Sequence, residues 1–188
     1  MPSVNPDIFF KRELVKALNQ LKGDWDNPDA VAAIQPVLKE QEMPSYVIDS
    51  TIMRDLGLTE RRHIYVSLQK RLSPVETKDY RISFLAQPNA ISGGWIPYLQ
   101  LLDIILLFQR RDEPDNTFFM KEVKGLINGF TYHEQKLMIQ LARKYPAAVR
   151  AFLGFILAGL NQLALSSKAL QTLNPVILSR YKKEYAWS

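Results

Sequence analysis

The chain contains two histidines, and imidazole is the side chain best suited to acid–base and metal chemistry near neutral pH. His63 follows Glu60 in a Glu-x-x-His pattern, which places a carboxylate and an imidazole on one face of a helix, as in carboxylate-bridged di-metal bundles. Such a centre requires a second copy of the pattern, and Phe130 occupies the corresponding position before His133. The sequence therefore predicts no metal site and no cofactor.

Nucleophilic catalysis finds little support, because the chain has no cysteine and its two histidines are not accompanied by a nucleophile-elbow motif. Gly93 and Gly94 are not followed by the pattern of a phosphate-binding loop. Asp103 is the only acidic residue within a strongly apolar helix, where a carboxylate can act as an acid or base but more often serves as a hydrogen-bonded anchor. We therefore predict no catalytic residue and favour a non-enzymatic protein.

Residues 49–72 fit the pattern of a DNA-binding helix-turn-helix: a short helix, a turn at Gly57, a polar cap at Thr59 and a second helix over residues 60–72. On that second helix the apolar residues share one side, and the basic and polar residues share the other. The candidate nucleic-acid-binding residues are Arg62, His63, Gln69 and Lys70. The spacing from Gly57 to Ile64 is one residue longer than the usual register, and helix–glycine–helix corners are common in α-helical domains, so a simple core corner is the alternative.

The C-terminal segment 174–188 predicts an amphipathic helix that begins at an Asn-Pro pair. Its large apolar side chains share one arc of the helix, and its basic residues lie elsewhere on the wheel. We expect this arc either to dock on its own domain or to contact a partner helix, a groove or a membrane surface. The candidate partner-binding residues are Ile177, Tyr181, Tyr185 and Trp187.

Proline and capping residues mark the helix starts along the chain. Asn-Pro pairs at residues 5–6, 27–28 and 174–175 each place a capping amide before a residue whose fixed φ suits the first helical turn. Thr131 and Glu134 form a capping-box pattern that begins another helix. These local signals predict helices in both halves of the chain.

The longest predicted helix begins at Pro146 and extends to about Leu173. One face of this helix carries small residues at spacings of three and four. They are Ala147, Ala151, Gly154 and Ala158. Small side chains allow a second helix to approach closely, so we expect a tight crossing inside the domain, with self-association through the same face as the alternative.

The predicted fold is mainly α-helical, with about eight helices in an orthogonal or irregular bundle. Residues 75–87 fit a strand and a helix almost equally, and we favour a short β-hairpin there. Residues 87–94 are rich in turn formers and are the only credible linker. We treat residues 1–188 as a single all-α domain, and the alternative is a division into residues 1–88, which hold the helix-turn-helix pattern, and 95–188.

The composition is that of a globular protein: of 188 residues, 24 are basic and 19 are acidic, and 47% are hydrophobic. Charge is unevenly distributed, because residues 121–188 contain ten basic and three acidic residues. The longest uncharged and unbroken helical stretch, residues 151–167, is shorter than the roughly 20 residues of a bilayer span. The N-terminus lacks the apolar stretch of a signal peptide, so we expect a cytoplasmic protein without a membrane span.

Two functions are consistent with these patterns. The first is a non-enzymatic helical interaction or regulatory protein that binds a protein partner or associates with itself. The second is a helix-turn-helix regulator that binds duplex DNA and uses its C-terminal helices as a dimerisation or effector domain. Salt-dependent binding to duplex DNA distinguishes the second from the first.

Overall fold

The computed structural model describes five parts of the chain: residues 6–21, 27–40, 44–58, 62–110 and 116–184. The fold is mainly α-helical, as predicted, and it also contains a short four-stranded sheet, of which the sequence predicts only the hairpin near residues 75–87. None of the helices in these parts is long and apolar enough to cross a membrane. The chain divides into two compact units, Met1–Ile96 and Pro97–Ser188, which we call the N-terminal and C-terminal units.

The N-terminal unit contains three α-helices and four strands within its described residues. In chain order these are α1 (Pro6–Asn19), α2 (Asn27–Glu40), β1 (Ser45–Val47), α3 (Ser50–Asp55), β2 (His63–Leu68), β3 (Val75–Glu76) and β4 (Arg81–Ala86). The strands form one sheet in the order β1-β2-β4-β3, in which β2 and β4 are parallel and the outer pairs are antiparallel. The hairpin predicted near residues 75–87 is confirmed as β3 and β4.

One face of this sheet packs against α1 and α2. Alternate residues of β2 point to that face, and Ile64, Val66 and Leu68 are all buried there. Apolar side chains from the two helices and from β4 complete the cluster. They include Phe10, Leu14, Leu18, Ala30, Ile34, Leu38 and Ile82. The core of this unit therefore depends on the two-residue period of β2.

The predicted second helix of the helix-turn-helix is wrong, because residues 63–68 form β2. The first part of the pattern is present: Asp49 caps α3 by accepting hydrogen bonds from Thr51 N and Ile52 N, and Gly57 has a positive φ of 67°. Beyond this turn the apolar residues fit both a helical face and a strand. Their β-branched and aromatic side chains favour the strand, and pairing with all six residues of β4 stabilises it.

The C-terminal unit is built from six helices within its described residues. They are α4 (Ile96–Phe108), α5 (Asn116–Asn128), α6 (Tyr132–Ala142), α7 (Ala147–Gly159), α8 (Leu163–Leu170) and α9 (Pro175–Glu184). Most residues of α4 are buried, which agrees with its nearly uniform apolar character. At its end Phe108 stacks on Phe119 with ring centroids 3.7 Å apart, and both rings contact Phe152.

The long helix predicted from Pro146 to Leu173 is interrupted, and α7 and α8 occupy its place. The break includes Asn161, which adopts a left-handed conformation with φ of 58°. Asparagine is one of the few residues besides glycine that visits this conformation readily. Gln162 N donates a hydrogen bond of 2.9 Å to Leu157 O and so satisfies a carbonyl group at the end of α7. The two helices therefore form a hairpin.

The close crossing predicted for the small residues of α7 is present, and its partner is α8. A Cβ atom added to Gly154 would lie 2.5 Å from Leu170 Cδ2. Ser166 Oγ donates a hydrogen bond of 2.8 Å to Gly154 O at the same crossing. Glycine therefore allows these two helices to approach at this point.

Candidate nucleic-acid interface

The residues predicted to bind DNA lie on separate segments of the N-terminal unit. Arg62 precedes β2 with a positive φ of 68°, and its Nη1 atom is 3.3 Å from Asp79 Oδ1. His63 begins β2, where its Nε2 atom is 2.8 Å from Ser83 Oγ and its ring stacks on Tyr65. Both side chains therefore make polar contacts inside their own unit.

Gln69 and Lys70 follow the end of β2, and they also contact their own unit. Gln69 Nε2 donates a hydrogen bond of 3.2 Å to Asn89 O. Lys70 Nζ forms an ion pair with Asp7 Oδ1 on α1. The four predicted residues therefore share no helix face, and the described residues 62–72 do not form the recognition helix on which the helix-turn-helix hypothesis depended.

The predicted partner-binding residues belong to α9 and to the segment that follows it. Ile177 is 36% exposed and Tyr181 is half-buried, whereas Tyr185 and Trp187 lie outside the described residues. The helix packs against α7, but none of its described side chains is buried, and Val176 is 78% exposed. Much of the apolar surface of α9 is therefore open to solvent.

Asp103 is buried on α4 inside the C-terminal unit. Tyr145 Oη donates a hydrogen bond of 2.7 Å to Asp103 Oδ1, and Tyr145 is also buried. This is the geometry of a polar anchor, which links α4 to the residues just after α6. Across the described ranges no group of three or more metal-ligating side chains comes together.

A continuous row of exposed side chains runs along α6. The capping box at Thr131 determines where this helix begins. From there the helical repeat places residues four, eight and eleven positions apart on one face, and that face is exposed over its whole length. We call the α6 stripe the exposed residues Tyr132, His133, Lys136 and Gln140 of this face, together with exposed Arg143 and Lys144 in the turn that follows the end of α6.

The opposite face of α6 anchors the helix in the core of the unit. Its buried residues are Gln135, Met138, Ile139, Leu141 and Ala142. Gln135 Nε2 donates hydrogen bonds of 3.1 Å to both Ile127 O and Phe130 O, which satisfies carbonyl groups at and just beyond the end of α5. The α6 stripe is therefore presented by a helix with a packed and hydrogen-bonded inner face.

Glu134 is the only acidic residue of α6, and it does not belong to the α6 stripe. Its carboxylate accepts hydrogen bonds of 2.7 Å from Thr131 N, Thr131 Oγ1 and Tyr98 Oη. The hydrogen bonds from the Thr131 side chain, the Thr131 backbone and Tyr98 hold the pKa of Glu134 below its usual value. The hydrogen bond with this carboxylate also raises the pKa of Tyr98. The ionised carboxylate of Glu134 is thus hydrogen-bonded to groups of its own unit.

The cations of the C-terminal unit are not neutralised by neighbouring carboxylates. This unit, residues 97–188, contains 12 basic and 7 acidic residues, and ten of its basic residues lie within residues 121–183. None of these ten forms an ion pair with any residue in the part of the chain that the structure describes, where all ion pairs lie in the N-terminal unit. The C-terminal unit therefore carries an excess of positive charge.

No family model, curated protein or solved structure matches the chain.

The α6 stripe combines the kinds of side chain that contact nucleic acids. Three cations without an adjacent carboxylate can bind phosphates, and the two rings and the Gln140 amide can contact bases. At a rise of about 1.5 Å per residue, the helical part of the stripe extends over roughly 15 Å, which is long enough to contact several nucleotides.

The sequence contains a signal for this surface that counting charge by segment does not reveal. The capping box sets the register of α6, and from it Tyr132, Lys136 and Arg143 fall on one helical face. Glu134, the one acidic residue of the helix, lies on a different face, where its carboxylate caps the start of the helix. The basic excess of residues 121–188 is therefore presented partly along a single helix.

Proposed function

We propose that the protein is a non-enzymatic nucleic-acid-binding protein whose α6 stripe contacts the phosphate backbone. One observation carries this proposal: an anchored helix exposes Lys136 on a face that contains no carboxylate, and the turn that follows it exposes Arg143 and Lys144. Exposed cations of this kind dominate binding to nucleic acids, because each phosphate contact releases condensed counterions. The excess of positive charge in the C-terminal unit, which has 12 basic and 7 acidic residues, supports the same partner through long-range attraction.

Fluorescence anisotropy with labelled oligonucleotides at several salt concentrations tests this proposal. We expect the triple variant Lys136→Ala, Arg143→Ala, Lys144→Ala to bind more weakly than wild type. The slope of log affinity against log salt should become shallower by about two units for a single strand and about three for a duplex, because three phosphate contacts are lost. Circular dichroism should be unchanged, since the three side chains are exposed.

A matched control removes the same charge from the N-terminal unit. The control variant is Arg12→Ala, Lys39→Ala, Lys78→Ala, in which all three native side chains are exposed. It changes the net charge of the chain by the same amount and should leave the salt slope close to that of wild type. The proposal fails if the two triple variants lose affinity equally, or if the wild-type protein binds no nucleic acid at low salt.

A second candidate function is binding of an acidic protein segment through α9. The exposed apolar side chains of Val176 and Ile177 are followed on the same helix by Arg180, Lys182 and Lys183. An acidic amphipathic helix would complement both features. We expect a chain truncated after residue 174 to lose no more circular dichroism signal than the ten residues of α9 contribute, and to lose binding to a labelled acidic amphipathic peptide. A large drop in melting temperature would instead show that α9 serves to stabilise its own unit.

A further inference from the structure

We infer that the ligand of the α6 stripe is single-stranded nucleic acid, with a base stacked on the ring of Tyr132. This inference rests on the proposed function and adds the class of nucleic acid. Tyr132 is the first residue of α6 and is 48% exposed. Its ring lies at one end of a row of cations, of which Lys136 is one helical turn away.

Tyr132 and His133 together form a small aromatic platform. Their ring centroids are 6.2 Å apart and the ring planes meet at 81°, so the contact is edge-on. In an edge-on pair, at least one face of each ring is left uncovered by the other ring. Phe130, two residues earlier, is different: it is half-buried and packs edge-on against Tyr98 at 5.2 Å. The platform is therefore separate from the aromatic side chains that stabilise the core.

A base can stack on a protein ring only when its own face is free. Neighbouring bases cover these faces in a duplex, whereas a single strand can splay its bases apart. A strand with one base on Tyr132 can continue along α6, where Lys136, Arg143 and Lys144 meet its phosphates. A duplex would use only the cations. The combination of an aromatic platform with a line of cations therefore favours a single strand.

The test compares two ring variants on two oligonucleotides. The probes are a fluorescein-labelled oligothymidylate and a labelled blunt-ended duplex of equal charge, which has no unpaired bases. We expect Tyr132→Ala to weaken binding of the oligothymidylate by roughly 5- to 150-fold, the range for loss of one stacked base, and to leave duplex binding unchanged. Tyr132→Phe keeps the ring and should bind as wild type does. Neither variant changes the charge, so the salt slope should stay the same.

The possible results separate this inference from the proposed function. Single-strand preference that is lost in Tyr132→Ala and kept in Tyr132→Phe supports the inference. If both probes bind with a steep salt dependence and Tyr132→Ala affects neither, base stacking is absent and the inference is overturned, while nucleic-acid binding stands. If wild type binds neither probe, both are overturned. Equal melting temperatures of wild type and Tyr132→Ala establish that the variant is folded, as expected for an exposed side chain.

Discussion

Tyr98 on α4 donates a hydrogen bond of 2.7 Å from its hydroxyl group to the Glu134 carboxylate on α6. The same carboxylate accepts hydrogen bonds from the Thr131 backbone and side chain, which cap the start of α6. A single ionised group therefore joins the first turns of two helices. Its protonation should loosen both contacts together.

We predict that this contact makes stability depend on pH in the acidic range. The pKa of Glu134 is lowered from its usual 4.5, so the ionised carboxylate contributes stability that is fully present above that pH. The contribution is lost as pH falls through the lowered pKa. Melting temperatures recorded from neutral to acidic pH should therefore fall less steeply for Glu134→Gln than for wild type. Identical acid dependence of the two proteins would contradict this role for Glu134.

The alkaline side of the same contact follows from Tyr98. Its pKa is raised from 10.0, because the hydroxyl group donates to a carboxylate. The neutral phenol therefore contributes stability below pH 10 that is lost as pH rises through the raised pKa. In Tyr98→Phe this alkaline loss should be absent, and a spectrophotometric titration of the tyrosines should lack one late-titrating group.

A side chain at Gly154 should destabilise the crossing of α7 and α8. Gly154→Ala places a Cβ 2.5 Å from Leu170 Cδ2, and Gly154→Leu adds further atoms in the same space. We expect the leucine variant to lose about 1–3 kcal/mol or more of unfolding free energy and the alanine variant to lose less. Urea denaturation measures both. The matched control is Gly125→Ala in α5, where a Cβ would meet no heavy atom within 4 Å and should be neutral or stabilising.

A second substitution identifies the cause of that loss. Combining Gly154→Ala with Leu170→Ala removes the side chain that the new Cβ would contact. The two changes should therefore be non-additive, and the double variant should be more stable than the sum of the single losses predicts. Strict additivity would mean that Gly154 and Leu170 are not coupled.

Removal of the hydroxyl group of Tyr145 should destabilise the C-terminal unit. Tyr145→Phe deletes the donor of a buried hydrogen bond to Asp103 while keeping the aromatic ring. We expect a loss of about 1–3 kcal/mol, the usual penalty when a buried polar group loses a partner. Tyr132→Phe deletes an exposed hydroxyl group and serves as the control. Equal stability of the two variants would show that the Asp103 contact contributes little.

The basic residues of the N-terminal unit should contribute little to nucleic-acid binding. Arg62 contacts Asp79 and Lys70 contacts Asp7, so both cations already have acidic neighbours. We expect the double variant Arg62→Ala, Lys70→Ala to keep the salt slope of wild type and to lose at most about 1 kcal/mol per ion pair. A slope that becomes shallower by about one unit per residue would instead locate phosphate contacts in this unit.

Helix starts are the part of this fold that the sequence predicts best, because capping depends on residues close together in the chain. Pro6, Pro175 and the Thr131 capping box all lie where helices begin. The end of a helix can be harder to predict. Apolar residues continue past Asn161, so periodicity alone predicts one helix where the structure has two. The left-handed backbone of Asn161 and the hydrogen bond from Gln162 N to Leu157 O end α7 there.

Strand β2 could not be predicted in the same way, because its conformation is decided by residues distant in sequence. Its apolar residues fit a helical wheel and an alternating pattern equally, and pairing with β4 selects the second. The candidate site, too, could be predicted only in part. The basic excess of the C-terminal region is visible in the sequence, but its alignment along α6 requires the register of that helix and the internal use of Glu134.

The hairpin of α7 and α8 also bears on how the chain acquires its structure. These helices are neighbours in sequence as well as in space. Strands β2 and β4 are also paired, but β3 lies between them in the sequence. Contacts between near neighbours close short loops and lose less chain entropy than contacts between distant segments. In a pulsed hydrogen-exchange experiment on the refolding chain, amides of this hairpin should become protected before those of the sheet. We therefore expect the short connection between α7 and α8 to make their hairpin form before the sheet during folding.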